Sequence, residues 1–245
     1  MTKTHTRRKN LVYGAVVADA AALGLHWIYA QPKIRRIAPD APEFLEPNAE
    51  HYEGVPGYFA HAARHAGDMS MYGESLLVAL RNVATEGDFD WQRYAAAFEE
   101  HFGFGGEYVG YIDTPTRITL TNRIKQRDSL LERALSVPYN GGDTEKRSVA
   151  TKVLASAQTY RGEQLRAKVH EVIDMTEGGE GQSDLADAMI DILEESRDFP
   201  GADDLQLPAL TKVPVLVARY YDDDRLERFV EEAVRVTNNN DLAVE

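Results

Sequence analysis

The 245-residue sequence contains no cysteine. Disulfide staples, thiolate metal ligands and cysteine nucleophiles are therefore excluded together, and nothing asks for an oxidising compartment, so the cytoplasm is the expected location. Long apolar runs are missing as well. None approaches the ~20 residues of a membrane-spanning helix, which leaves no membrane partner to expect. Positive charge is in deficit: 27 Lys and Arg stand against 40 Asp and Glu, for a net charge of −13. Such a field repels polyanions, whose phosphates must be neutralised by Lys and Arg, so nucleic acid is not an expected partner. Alternating runs of the strand type are scarce too, whereas apolar residues recur at three- and four-residue spacing. The expected fold class is all-α.

What is present organises into helices separated by clear breaks. The first is expected over about residues 10–29, with Leu11, Ala15, Ala18, Ala22 and Leu25 on one side and Gly14 and Gly24 inside it. Small residues on nearly every side let neighbours approach from all directions, which predicts a place in the middle of the bundle. Lys3, Arg7, Arg8 and Lys9 precede it as a frayed arm. Asp19 and His26 interrupt the apolar part and no small-residue cleavage site follows, so this start is not read as a signal peptide. From Pro32 to Ala66 the prolines at Pro39, Pro42, Pro47 and Pro56 interrupt any helical period and predict a long ordered loop or lid. His51, His61 and His65 lie in it without metal-ligand spacing and are read as solvent-facing.

Helices resume at 72–84 and 90–102, the second capped by Asp90. A Gly-rich turn (Gly103, Gly105, Gly106, Gly110) then leads to a helix with Thr114 as cap and Pro115 at its first position, running to about residue 135. Further helices are expected at 145–160, 162–175, 183–195, 205–221 and 225–237, with Gly178, Gly179 and Gly181 forming a loop between the second and third of these. Gly141-Gly142-Asp143-Thr144 reads as a helix start capped by Asp143 or Thr144. Asp222, Asp223 and Asp224 read as solvated acids that complement a helix N-terminus.

Residues 14–27 (GAVVADAAALGLHW) and residues 67–74 (GDMSMYGE), the latter just ahead of a helix, resemble two motifs of the ADP-ribosylglycohydrolase family, its opening Gly-Asp-Ala-Leu-Gly element and its first metal motif. Residues 108–120 (YVGYIDTPTRITL) resemble the Tyr-Gly-Tyr and Thr-rich segment of the branch that holds the J1 crystallins. The stretch from Asp203 to Pro214 and residues 234–240 (VRVTNNN) resemble a late substrate-side helix and turn. The resemblance implies one orthogonal multi-helix domain over 1–245. It also implies hydrolysis of a glycosidic bond to ADP-ribose, assisted by two Mg²⁺ ions on carboxylates and Thr oxygens. Hard cations of this kind need several oxygen ligands. The family's Thr-Asp-Asp-Thr is here Ser70-Met71-Tyr72-Gly73, and the second Asp-rich motif is expected past Glu245, in a C-terminal part missing from this chain. No metal ligand is therefore assigned.

On this resemblance the acid–base candidates are Asp19, His26, Asp68 and Glu74, because leaving-group protonation and water activation need two such groups. The substrate-side candidates are Ser70, Tyr72, Tyr108, Tyr111, Thr237 and Asn238. Some readings stay open. His26 is either a base with an imidazole pKa near neutrality or a hydrogen-bonded buried residue. Asp19, a charge inside a small-residue helix, either has a structural partner or lines a cavity. Tyr108 and Tyr111 either stack on a ligand or sit at an amphipathic rim. Two functions follow: a hydrolase acting on a small-molecule or protein-linked ADP-ribose, or a non-catalytic nucleotide-binding or crystallin-like structural member that has lost the metal site.

Overall fold

A computed structural model describes residues 3–176, 183–195 and 198–245, and among these the chain is all-α, as its periodicity predicts. The helices are α1 (Lys3–Ala22), α2 (Gln31–Ile37), α3 (Met71–Glu86), α4 (Trp91–Phe102), α5 (Thr114–Ser136), α6 (Asp143–Thr159), α7 (Gly162–Asp174), α8 (Ser183–Glu195), α9 (Val213–Tyr220), α10 (Leu226–Thr237) and α11 (Asp241–Val244). Short 3-10 turns occupy Leu23–Leu25, Ala49–Tyr52 and Leu207–Lys212. The expected loop through Gly178, Gly179 and Gly181 lies outside the described residues. No described helix is long and apolar enough to cross a membrane. The chain forms two compact units, one of residues 1–119 with 201–245 and one of residues 120–200, the boundary falling inside α5.

In the unit of residues 120–200, α7 packs against both α6 and α8. Its core follows from i, i+4 spacing: Leu165, Val169 and Ile173 of α7 meet Val149 and Val153 of α6 and Leu185, Met189 and Ile190 of α8, all buried. Arg166 grips Glu194 with two hydrogen bonds of 2.8 and 2.9 Å. The start of α6 differs from expectation. Gly142 occupies the cap with no side-chain hydrogen bond, while Asp143 and Glu145 sit inside the first turn, where negative charge opposes the helix dipole.

In the other unit, α1 packs on α3 and α9 and α10 on α4 and α9. A chain of aromatic rings forms the interior. Tyr220 meets Phe229 at 4.8 Å between centroids, Phe229 meets Phe89 at 5.7 Å, Phe89 meets Tyr94 at 5.9 Å, and the series continues through Phe98 and Phe102 to Tyr108. Offset and edge-on rings at these distances attract one another beyond the area they bury.

Several local expectations are corrected here. Helix α1 is peripheral rather than central: Ala20 is its buried residue, Tyr13 is 65% and Val17 52% exposed, and Gly14 faces open space. Small side chains permit close packing but do not demand it. The basic arm is helical from Lys3, and Arg8 pairs with Asp222 at 3.2 Å and lies over the Tyr221 ring. Asp223 is likewise not simply solvated, since Arg225 binds its carboxylate and holds its pKa down at about 2. Helix α1 ends at Ala22, and in the 3-10 turn that follows the backbone passes so close to the next loop that a Cβ on Gly24 would lie 2.1 Å from the Leu45 carbonyl oxygen. The Pro-rich stretch contains α2, which Pro32 helps to start, its missing N–H being an orphan at that position anyway. The cap of α5 is Asp113, not Thr114: its Oδ1 accepts from Thr116 N–H at 2.9 Å. Asp90 caps α4 as expected.

Substituting Ile190→Ala in the core of residues 120–200 is expected to lower stability by about 2–5 kcal/mol. Gly14→Ala, in an unobstructed helix interior, is expected to raise it by about 0.5–1 kcal/mol. Urea unfolding followed by circular dichroism measures both.

Candidate functional site

Asp19 is the lone acid of an Ala-rich helix, and its half-buried carboxylate needs donors. Ser70 supplies two: its backbone N–H reaches Asp19 Oδ2 at 2.7 Å and its hydroxyl reaches Oδ1 at 2.6 Å. The same hydroxyl oxygen accepts from Tyr72 N–H at 3.1 Å, so Ser70 is at once the N-cap of α3 and the partner of α1. Gly73 makes the approach possible, because a Cβ there would lie 2.4 Å from Asp19 Oδ2. The sequence candidates Asp19, Ser70 and Tyr72 are thus brought together.

His26 follows at the end of the 3-10 turn. Its ring contacts Tyr72 edge-on at 5.7 Å and stacks on His61 at 4.9 Å between centroids, with His26 Nδ1 only 2.7 Å from His61 Nε2. Its carbonyl accepts from the Tyr52 hydroxyl at 2.6 Å. Burial lowers the pKa of His26, with the Asp19 charge pulling the other way. Burial lowers His61 further, to about 4, aided by His26 and Arg64. His61 is 1% exposed, which corrects its reading as a solvent-facing loop histidine. A loop residue's burial depends on what folds over it, and no local spacing records that.

Trp27 comes next with φ +70°, a left-handed conformation that is a true outlier for a bulky residue. Its ring meets Tyr111 at 4.8 Å and Tyr58 at 5.7 Å, and those two lie 5.9 Å apart. Tyr108 is buried, donates its hydroxyl proton to the Tyr111 carbonyl at 3.1 Å and carries the Arg64 guanidinium 4.4 Å above its ring. His26 also lines an open depression of about 380 Å³ walled by Ala18, Ala22, Leu25 and Pro42, a volume within the range of small-molecule sites.

The remaining candidates sit apart from this knot of contacts. Glu74 Oε2 lies 3.2 Å from His101 Nε2, though not aligned for a hydrogen bond. Asp68 turns back on its own loop and accepts from His65 N–H at 2.8 Å, next to the Glu46–His65 ion pair. Thr237 and Asn238 are fully buried, and they are occupied with one another and with the backbone: Thr237 Oγ1 donates to Asn238 Oδ1, and Asn238 Nδ2 donates to the carbonyls of Asp204 and Gln206. Lys212 donates to Thr237 Oγ1 from a fully buried position. Burial drives its pKa down to about 7, against the opposing pull of Asp113. Asp113 and burial together raise the Tyr72 phenol, burial being the larger cause.

Sequence reasoning missed His61, Tyr52 and Trp27 as members of this region, and His101 and Lys212 as neighbours of Glu74 and Thr237. Trp27 beside His26 is the one that offered a local signal, a bulky ring directly after a helix-ending turn. The others are assembled only by tertiary contact.

Gly73→Ala is expected to cost about 1–3 kcal/mol through overpacking against Asp19. The depressed His61 pKa gives a pH dependence as well. Between about 4 and 6.5 the unfolded chain binds a proton that the folded one refuses, so stability falls as pH drops through that window. His61→Gln is expected to flatten that part of a plot of unfolding midpoint against pH.

Compared with known proteins, the chain is 25% identical over 240 residues to crystallin J1A and 23% identical over 244 residues to crystallin J1B, both from Tripedalia cystophora. Each alignment covers 97% of this chain and 54% of the relative, so the chain spans about half the length of the curated relatives it matches. No family model matches, and no solved structure matches. The chain is a distant homologue of the J1 crystallins.

Proposed function

We propose that this chain is an ADP-ribosylglycohydrolase-like protein that binds an ADP-ribose-like small molecule in the cleft that His26 lines, next to the contacts of Asp19, Tyr72 and Tyr111, without catalysing its hydrolysis. The observation that carries the reading is the engagement of Asp19. Each of its oxygens accepts a hydrogen bond from Ser70, so the best-placed carboxylate ties α1 to α3 instead of standing unengaged. The Mg²⁺ pair implied by the resemblance does not fit the residues here. Met71 and Tyr72 offer no carboxylate, and the described residues contain no group of three His, Asp or Glu side chains able to hold a metal. No step is routed through such an ion. The similarity to proteins named as crystallins agrees with a member kept for its body and its cleft rather than for turnover.

One feature supports the second reading, a glycosidic hydrolase. Glu74 and His101 place a carboxylate and an imidazole 3.2 Å apart in a nearly buried position, the two residue types that general acid–base catalysis uses most.

Thermal melting with ADP-ribose, with and without Mg²⁺, separates the two. A ligand present at 100 times its Kd stabilises the folded state by about 2.7 kcal/mol through mass action. The expected result is a rise in midpoint with ADP-ribose that Mg²⁺ does not change and Asp19→Asn abolishes. A rise that requires Mg²⁺, with release of free ADP-ribose from a glycosylated substrate, would favour the hydrolase. No rise in either condition sinks the binding reading.

A further inference from the structure

The His26–His61 pair fixes more than position. Two imidazole nitrogens 2.7 Å apart must share one hydrogen, and which ring supplies it sets the chemistry of both. If His26 Nδ1–H donated, His61 would have to carry its own hydrogen on Nδ1. That atom is buried without a partner, so the arrangement would strand an N–H donor in the interior. If His61 Nε2–H donates instead, His61 Nδ1 keeps only a lone pair, and an unmet acceptor is the smaller penalty. His26 then accepts at Nδ1 and must bear its hydrogen on Nε2.

We propose that His61 is a positioning residue that locks His26 as a neutral Nε2–H donor, so that the cleft presents His26 to an acceptor oxygen of its ligand and not as a base. The rest of the turn is built to the same end. The Tyr52 hydroxyl pins the His26 carbonyl, stacking on His61 sets the plane of the ring, and Tyr72 bounds it edge-on. Asp19 is the carboxylate whose charge reaches His26, but the Nδ1 position is occupied by His61 Nε2 while Asp19 is hydrogen-bonded to Ser70. Depressed basicity of both rings suits a pair that stays uncharged at neutral pH. The assignment extends the binding reading above, because the acceptor oxygen belongs to the ligand of that cleft, but the tautomer itself is independent of any ligand.

Long-range ¹H–¹⁵N correlation of the histidine side chains in the free protein at pH 7.5 tests it. The expected pattern for His26 is a pyrrole-type Nε2 and a pyridine-type Nδ1. His61→Gln, whose amide N–H can still donate, is expected to retain the pattern, and His61→Phe to lose it, with the two His26 nitrogens moving toward averaged shifts. A pyrrole-type Nδ1 in the wild type overturns the proposal, as does an unchanged pattern in His61→Phe. If that variant does not fold, the wild-type spectrum alone still decides. Adding ADP-ribose should shift the His26 Nε2–H resonance. An intact tautomer with no ADP-ribose response removes the ligand half and the functional reading together, and leaves the His61 assignment standing.

Discussion

A carboxylate in a helix of alanines has to be answered, and Ser70 answers it with both of its donors. Most of the candidate site depends on that exchange. It draws the N-terminus of α3 against α1, requires a glycine at residue 73, and sets Tyr72 beside His26. Charge-assisted hydrogen bonds of this kind are roughly twice as strong as neutral ones, which suits them to hold two helices in register where little apolar surface is available on α1. The same bonds bear on the chemistry, since a carboxylate with one short hydrogen bond on each oxygen is less basic than a bare one.

The helices were legible because their apolar spacing is a property of neighbours along the chain. Boundaries shifted where a competing donor or acceptor intervened. Asp113 outbid Thr114 for the start of α5 because a carboxylate one residue earlier reaches Thr116 N–H. Asp19 stood out as the lone acid of a small-residue helix, but its partner Ser70, 51 residues later, is supplied by the fold. His61 did not stand out. It sits among prolines and exposed loop residues, and its burial arises only when the loop folds over His26, 35 residues earlier. Lys212 was invisible for a similar reason: a lysine in a late helix reads as surface until Thr237 and the buried surroundings close on it.

The candidate site also has an uneven electrostatic character. The whole chain carries −13, yet the side chains gathered around His26 and Trp27 are largely aromatic rings, a second imidazole and a carboxylate whose oxygens both accept hydrogen bonds. Arg64, stacked over Tyr108, brings positive charge to their border. The negative field of the chain as a whole slows the approach of anything highly anionic.

The left-handed backbone at Trp27 has a last consequence. Holding a bulky residue in that conformation stores about 1–3 kcal/mol, which persists only if the surroundings over-determine it. Here the Tyr52 hydroxyl clamps one side, and on the other Gly57 passes so near that any side chain on it would strike the Trp27 carbonyl. The backbone that carries the indole is therefore clasped from both sides, by a hydroxyl and by a bare glycine, so that sequence drift at residue 52 or 57 would loosen it without touching the ring itself.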